Sequence, residues 1–353
     1  MLRDTKYLIA YIVPLSAFVS IYLTGIGSYL SIFIGFVLIP IFDAILPKSD
    51  RNLSSQDEEN KLTNRFFDIL LYLNVPLLYG MCGYYFYTLA YANLQTYEVV
   101  GMTLSVGLVL GSAGINVAHE LGHRITGFEQ FLAKMLLLPN LYMHFIIEHN
   151  RGHHKNVATP EDPATSRLNE SLYAFWWRSV TGAYAEAWQL ENDRLRKTGK
   201  SVWSLQNEMI QFQVLQVGYL AAVGLTFGWS VVPFAVLIAI IGFLMLENVN
   251  YIEHYGLVRE KKASGRYENV QPIHSWNSDH EVGRIMLYEL TRHSDHHFKA
   301  TRKYQVLRHF TDSPQLPLGY PGSILLATVP PLWYRVMNKR VMQHREKMRK
   351  VAV

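Results

Sequence analysis

From Tyr7 to Phe42 the chain carries no Asp, Glu, Lys or Arg, a run of 36 residues. A helix needs roughly 20 apolar residues to cross a bilayer core, so this run is too long for one span and long enough for two. Gly25-Ile26-Gly27-Ser28 divides it, placing spans at about 7–24 and 28–46. Two further uncharged runs, Ile69–Tyr97 and Val99–Ala118, flank the polar turn Asn93-Leu94-Gln95-Thr96 and give spans at 68–91 and 98–118. The last, Met209–Leu246, breaks at Gly228-Trp229-Ser230 and Pro233, giving spans at 209–227 and 231–252. The expectation is an all-α integral membrane protein: one membrane domain over 1–353, with six transmembrane helices in three hairpins. Residues 1–24 read as a span and not as a signal peptide, because a second span follows at once and no small-residue cleavage site is evident.

The connections near 25–27, 92–97 and 228–230 contain no Lys or Arg, so all 33 basic residues lie on the opposite side, with the termini and segments 47–65, 119–208 and 253–353. The positive-inside rule makes that side cytoplasmic; the expected location is the cell's inner membrane with both termini cytoplasmic, and the segments on that side are expected to form a helical cap. The net charge of +5 therefore reflects topology and gives no reason to expect nucleic acid. Two apolar stretches within the cap region, Phe131–Ile147 and Ser323–Met337, contain Lys134, Pro139 and Pro330-Pro331 and read as interfacial or partly buried helices. The single cysteine, Cys82, excludes a disulfide framework and any cysteine-built metal centre within the chain.

Nine of the 14 histidines fall in four clusters. These are His119-Glu-Leu-Gly-His123, Glu148-His149-Asn-Arg-Gly-His153-His154, Asn250-Tyr-Ile-Glu253-His254-Tyr-Gly256 and Arg292-His293-Ser-Asp295-His296-His297. The first and third close spans four and six. On a helix, residues three or four apart share a face, so the pairs 119/123, 149/153, 293/296 and 293/297 could each present two rings to one ion. Adjacent residues point about 100° apart, so 153/154 and 296/297 could serve two ions. Nine ligands exceed the needs of one metal and suit two ions with four or five ligands each. The isolated His144, His309 and His344 read as ordinary satisfied polar residues, while His274 and His280 read as supports that do not ligate.

Imidazole suits Zn, Cu, Fe and Ni. The first cluster alone also fits the zinc-protease pattern His-Glu-x-x-His, with Glu120 as base, but that leaves seven histidines of the other clusters without a role. Carboxylate-bridged di-iron bundles need two Glu-x-x-His motifs, and only Glu120–His123 matches. Histidine-rich ligation of two irons remains; a non-catalytic metal-handling membrane protein stays open beside it.

Together the boxes resemble the membrane fatty-acid desaturase and hydroxylase superfamily. The Asn250–Gly256 box, the longer Leu290–His297 form, Asn156–Arg167, His274-Ser-Trp-Asn277 and Pro317–Gly322 are similar to the alkane 1-monooxygenases. The likeness runs from about residue 40 to 335, departing at Arg124, where lysine is common, and Phe298, where alanine is common. It implies two irons, O₂ as oxidant, an n-alkane substrate drawn from the lipid bilayer, and electrons from rubredoxin served by an NAD(P)H-dependent rubredoxin reductase. Fatty acyl chains or aromatic methyl groups are the alternative substrates of such enzymes.

Glu120, Glu148, Glu253 and Asp295 each sit beside a candidate ligand and are expected to accept the outer N–H of a ligating histidine. Gly35, flanked by Phe33, Ile34, Phe36 and Val37 on span two, is a candidate opening for the substrate tail, since an interior helix glycine marks close packing or needed space.

Overall fold

The computed structural model describes residues 4–351, and these are almost entirely helical, with three isolated β-bridges and no regular strand among them. Six helices are long and apolar enough to cross a membrane: Thr5–Leu23, Gly25–Ile45, Phe66–Tyr91, Thr96–Gly122, Glu208–Phe227 and Trp229–His254. They form the three expected hairpins and are numbered here as spans one to six. Their outer faces are as apolar as their inner ones. Leu15, Val214 and Leu225 stand exposed, a pattern that suits lipid on one side and packing on the other.

Span four is the hub. In its most apolar stretch 72% of the residues are buried, against 17% in that of span five, and it packs on spans one, two, three and six. Its contact with span six depends on missing side chains: a Cβ on Gly111 would stand 2.8 Å from the carbonyl oxygen of Gly242. Such small-residue seams let membrane helices approach closely where no hydrophobic force joins them. At the end remote from the cap, Glu98 ties two turns together, its Oε1 accepting from the Gly25 N–H at 2.6 Å and its Oε2 from the Gln95 N–H at 2.7 Å.

The ladder widens to a π-turn at three places: Ile34–Leu38 in span two, Leu110–Ile115 in span four and His149–His153 in the second histidine box. Single π-turns insert a residue into a helix and concentrate at functional sites. All three border the region described below.

The cap is built from the long helix Leu172–Lys197, the shorter Gly127–Leu137, Glu281–Met286, His293–Phe298 and Tyr320–Ala327, and the C-terminal helix Pro330–Val351. Trp333, Met337 and Val341 of the last helix are fully buried against Tyr251, Tyr255 and Trp276, fastening it to the end of span six. Span two meets the cap through Asp43, whose Oδ1 accepts from the Gly283 N–H at 3.1 Å.

Candidate metal centre

The ends of spans four and six, the second box and the helix His293–Phe298 converge, and their nine clustered histidines meet in two groups. His119, His123, His149, His154 and His296 form one; His153, His254, His293 and His297 form the other, with the donor atoms of each group within 4.8 Å of one another. Nitrogen faces nitrogen throughout. Nε2 of His119 is 2.9 Å from that of His296, which is 3.0 Å from that of His154, and the pair His123–His149 stands at 3.1 Å. In the second group the Nε2 separations are 2.8 Å for His293–His297 and 3.3 Å for His254–His293. Two nitrogens bound to one first-row ion at about 2.0–2.1 Å and roughly 90–110° apart stand about 2.8–3.4 Å from each other, so the spacing fits shared metals.

The grouping departs from helical pairing at two points. His149 and His153 belong to different groups, and His149 pairs with His154. The π-turn accounts for this: the His154 N–H donates to the carbonyl of His149, so the residue stacked one turn on is the fifth and not the fourth. His293 and His296 also separate, with 293/297 sharing one group and 296 reaching the other. The adjacent pairs 153/154 and 296/297 do divide between the groups.

Burial pushes His149, His154, His293, His296 and His297 well below the ordinary imidazole value, with neighbouring rings adding to the effect. They are neutral at pH 7, the form that ligates metal. His144, His274, His280, His309 and His344 lie outside both groups; His309 meets Asp279 at 3.0 Å, and His344 contacts the Ile273 carbonyl at 2.9 Å.

The four expected supporting carboxylates have different surroundings. Glu120 takes Arg124 Nη2 at 2.7 Å and the Tyr304 N–H at 3.2 Å, so it is committed to an ion pair and has no freedom to act as a protease-type base. Asp295 is held by the Arg308 N–H at 2.8 Å and by the Arg302 and Arg308 guanidiniums. An arginine outcompetes a neutral imidazole N–H for a buried carboxylate; Arg124, four residues on from Glu120, was within reach of sequence reasoning, whereas Arg302 and Arg308 fold back on Asp295 from beyond its helix. Glu148 is buried with Oε1 unpartnered among the described residues, and burial with neighbouring carboxylates pushes it well above the usual carboxylate range. Glu253 lies on the inner side of the histidines: its Oε2 is 3.1 Å from Nε2 of His293, and its Oε1 accepts from the Tyr320 hydroxyl at 2.6 Å.

Among the described residues the outer nitrogen of a candidate ligand does meet a carboxylate once, at a residue sequence reasoning passed over. Asp162 Oδ2 is 2.9 Å from Nδ1 of His153, and Asp162 is itself held by the Thr165 hydroxyl at 2.5 Å. The available signal was its place in the Asn156–Arg167 stretch. Tyr320 was missed likewise, within Pro317–Gly322.

An apolar cavity reaches the centre from between the spans. Gly35, Phe36, Leu108, Gly111, Met245 and Leu246 line its length, and His119, His149, His293, Asn250, Glu253 and Tyr320 lie at its polar end. Gly35 is buried and lies on this wall, where an added Cβ would stand 2.9 Å from Cδ2 of Leu108.

A six-span bundle capped by two buried histidine groups that open onto an apolar cavity defines a membrane metal-site enzyme, and residues 95–322 match the fatty acid desaturase family. The chain is 42% identical over 336 residues to alkane 1-monooxygenase 1 of Alcanivorax borkumensis, covering 94% of this chain and 83% of that one. It is 42% identical over 317 residues to alkane 1-monooxygenase of Pseudomonas putida, covering 88% and 79%. The hydroxylase component XylM of the xylene/toluene monooxygenase of Pseudomonas putida is more distant, 29% identical over 310 residues, 86% of this chain and 80% of that one. The chain belongs to the alkane 1-monooxygenases, oxidoreductases within the fatty acid desaturase family.

Proposed function

We propose that the protein hydroxylates the terminal methyl group of medium- and long-chain n-alkanes to 1-alkanols. One alkane, one O₂, two electrons and two protons yield one alcohol and one water. The single observation that carries this reading is the apolar cavity ending on His119, His149 and His293. No Lys or Arg lines it among the described residues, so a carboxylate or a carrier headgroup would find no partner there, whereas an alkane needs none.

The nine histidines would hold two irons, His119, His123, His149, His154 and His296 on one and His153, His254, His293 and His297 on the other. The irons would supply O₂ activation. The protein's own contribution is positioning: the π-turns of spans two and four shape a tube that admits the chain end-on, and the buried walls exclude water from the reacting carbon. Gly35 sits on this tube, and its bare backbone leaves room for the tail.

Electrons arrive from outside, since the only cysteine, Cys82, is buried in the bundle. Rubredoxin, re-reduced by an NAD(P)H-dependent reductase, suits a cap face rich in Lys and Arg, because an acidic carrier is steered to it. That face is cytoplasmic, both termini lie there, and the spans sit in the inner membrane. Membranes containing the protein, given rubredoxin, reductase, NADH and octane or hexadecane, are expected to yield 1-octanol or 1-hexadecanol by gas chromatography. Oxidation of p-xylene with no alkanol formed would reject the reading in favour of an aromatic-methyl substrate.

A further inference from the structure

We infer that the polar groove between the second histidine box and the long cap helix Leu172–Lys197 carries protons to the centre, with Glu186 as the carboxylate that passes them inward. The inference rests on the proposed hydroxylation, which consumes protons and releases water. Neither exchanges readily along the substrate cavity, whose length is apolar. The groove is the polar alternative. It encloses about 680 Å³ and is lined by Arg151, Lys155, Asn156 and Glu161 on one side and by Glu186 and Asp193 on the other.

Glu186 stands where the groove meets the second box. Its Oε1 accepts from the Asn156 side chain at 3.4 Å, and a Cβ on Gly152 would stand 2.8 Å from the same oxygen. The glycine between His149 and His153 thus lets the carboxylate come up against the backbone of the box. No Lys or Arg pairs with Glu186 among the described residues: Arg151 is taken by Glu191 and Glu208, and Arg178 by Glu170. Oε2 of Glu186 is buried without a partner, and so is Oε1 of Glu148, a residue 3% exposed. Buried acceptors with no protein partner are where ordered water is held. Glu148 and Asp162 both lie close enough to Glu186 for their charges to interact, and Asp162 bonds His153. A line of polar groups therefore runs from solvent through Glu186 to the box that carries His149, His153 and His154. Burial pushes Glu186 above the usual carboxylate range, Asp162 adding to this while His153, Asn156 and Lys155 oppose it, so it takes up a proton more readily than a surface carboxylate. Glu186 accepts a proton from water in the groove and releases one to water on the inner side, returning to the carboxylate with no net change.

Two measurements test this. A water-soluble thiosulfonate should modify Glu186→Cys in purified protein that keeps its iron, and should leave wild type, whose only cysteine is buried, unmodified. Glu186→Gln should keep wild-type iron content and unfolding temperature and an unchanged KM for octane. Its kcat should fall about 10²-fold, the low end of what a positioned proton-transferring side chain contributes, and its solvent deuterium isotope effect should rise. Glu186→Asp should fall between the two, and it decides by the same readings if Glu186→Gln does not accumulate. A wild-type kcat and isotope effect in the variant obtained would overturn the inference and send the protons by another route. Loss of iron or stability in step with kcat, at an unchanged isotope effect, would overturn it by making Glu186 a prop for the second box, and a Glu186→Cys variant that the reagent leaves unmodified would show the route to be dry. Wild-type protein that forms no alkanol would instead overturn the proposed hydroxylation beneath it.

Discussion

Asp162 and His153 form a fully buried pair, Oδ2 to Nδ1 at 2.9 Å, which leaves Nε2 of the ring turned toward His254 and His297. The carboxylate fixes the tautomer and orientation of the ring, the service a metal-bound histidine draws from a neighbour. Asp162→Asn can hold the ring by the wrong tautomer, and Asp162→Ala not at all. Both variants are expected to lose about half their iron on dialysis against a chelator, from the group containing His153. Full retention of both irons in Asp162→Ala would show that packing alone holds His153.

Glu120 and Arg124 make the opposite prediction. Their pair at 2.7 Å is buried on both sides and touches no ligating nitrogen, so its role is structural. Breaking a buried pair costs roughly 3–5 kcal/mol. Asp68 at 3.4 Å and Glu129 at 3.9 Å still face Arg124, which places Glu120→Gln at or below the low end. Thermal unfolding in detergent should report that loss while iron per folded chain stays at the wild-type value. Selective loss of iron with unchanged stability would return Glu120 to the metal site.

Much of the architecture was legible because its causes are local. Uncharged runs of spanning length announce the six spans, and histidines at i,i+4 on helix ends announce 119/123 and 293/297. The pairing of His149 with His154 was not, since it depends on a π-turn that no spacing rule anticipates. Nor was the fate of Asp295, set by Arg302 and Arg308 folding back from beyond its helix; that of Glu120 was legible, since Arg124 stands four residues on. Asp162 and Tyr320 escaped notice because neither lies within a histidine box; each reaches the site through a loop or a helix start.

Falling pH should unfold the metal-free protein in a window set by its buried rings. His149, His154, His293, His296 and His297 are held well below the ordinary value, and burial lowers His144 to about 3. The folded chain refuses protons that the unfolded chain takes up below about 6.5, so stability is retained above that pH and lost as pH falls beneath it. Outside the spans Glu148 and Glu186 are shifted upward and favour the folded state at low pH, but they are outnumbered, since His123, His274, His280 and His344 are lowered as well. The unfolding temperature is expected to be level from pH 8 to 7 and to drop below about 6.5; a level or rising value down to pH 5 would show that the rings are not buried neutral.

Gly35→Trp fills the cavity wall opposite Leu108. If the tail of the substrate lies along this wall, the variant should lose hexadecane hydroxylation and keep octane hydroxylation, because only the longer chain needs the filled volume. Equal loss on both substrates, or failure to accumulate, would make Gly35 a packing residue where small side chains let helices meet.

The central claim is that two histidine groups, five and four strong, hold two irons beside an apolar cavity. Metal content per chain in purified, catalytically active protein tests it most directly. Elemental analysis should find two irons per chain in wild type and fewer when any one of the nine histidines is replaced by alanine, while His309→Ala should keep both. One metal per chain, or stoichiometric zinc without iron in active protein, would contradict it.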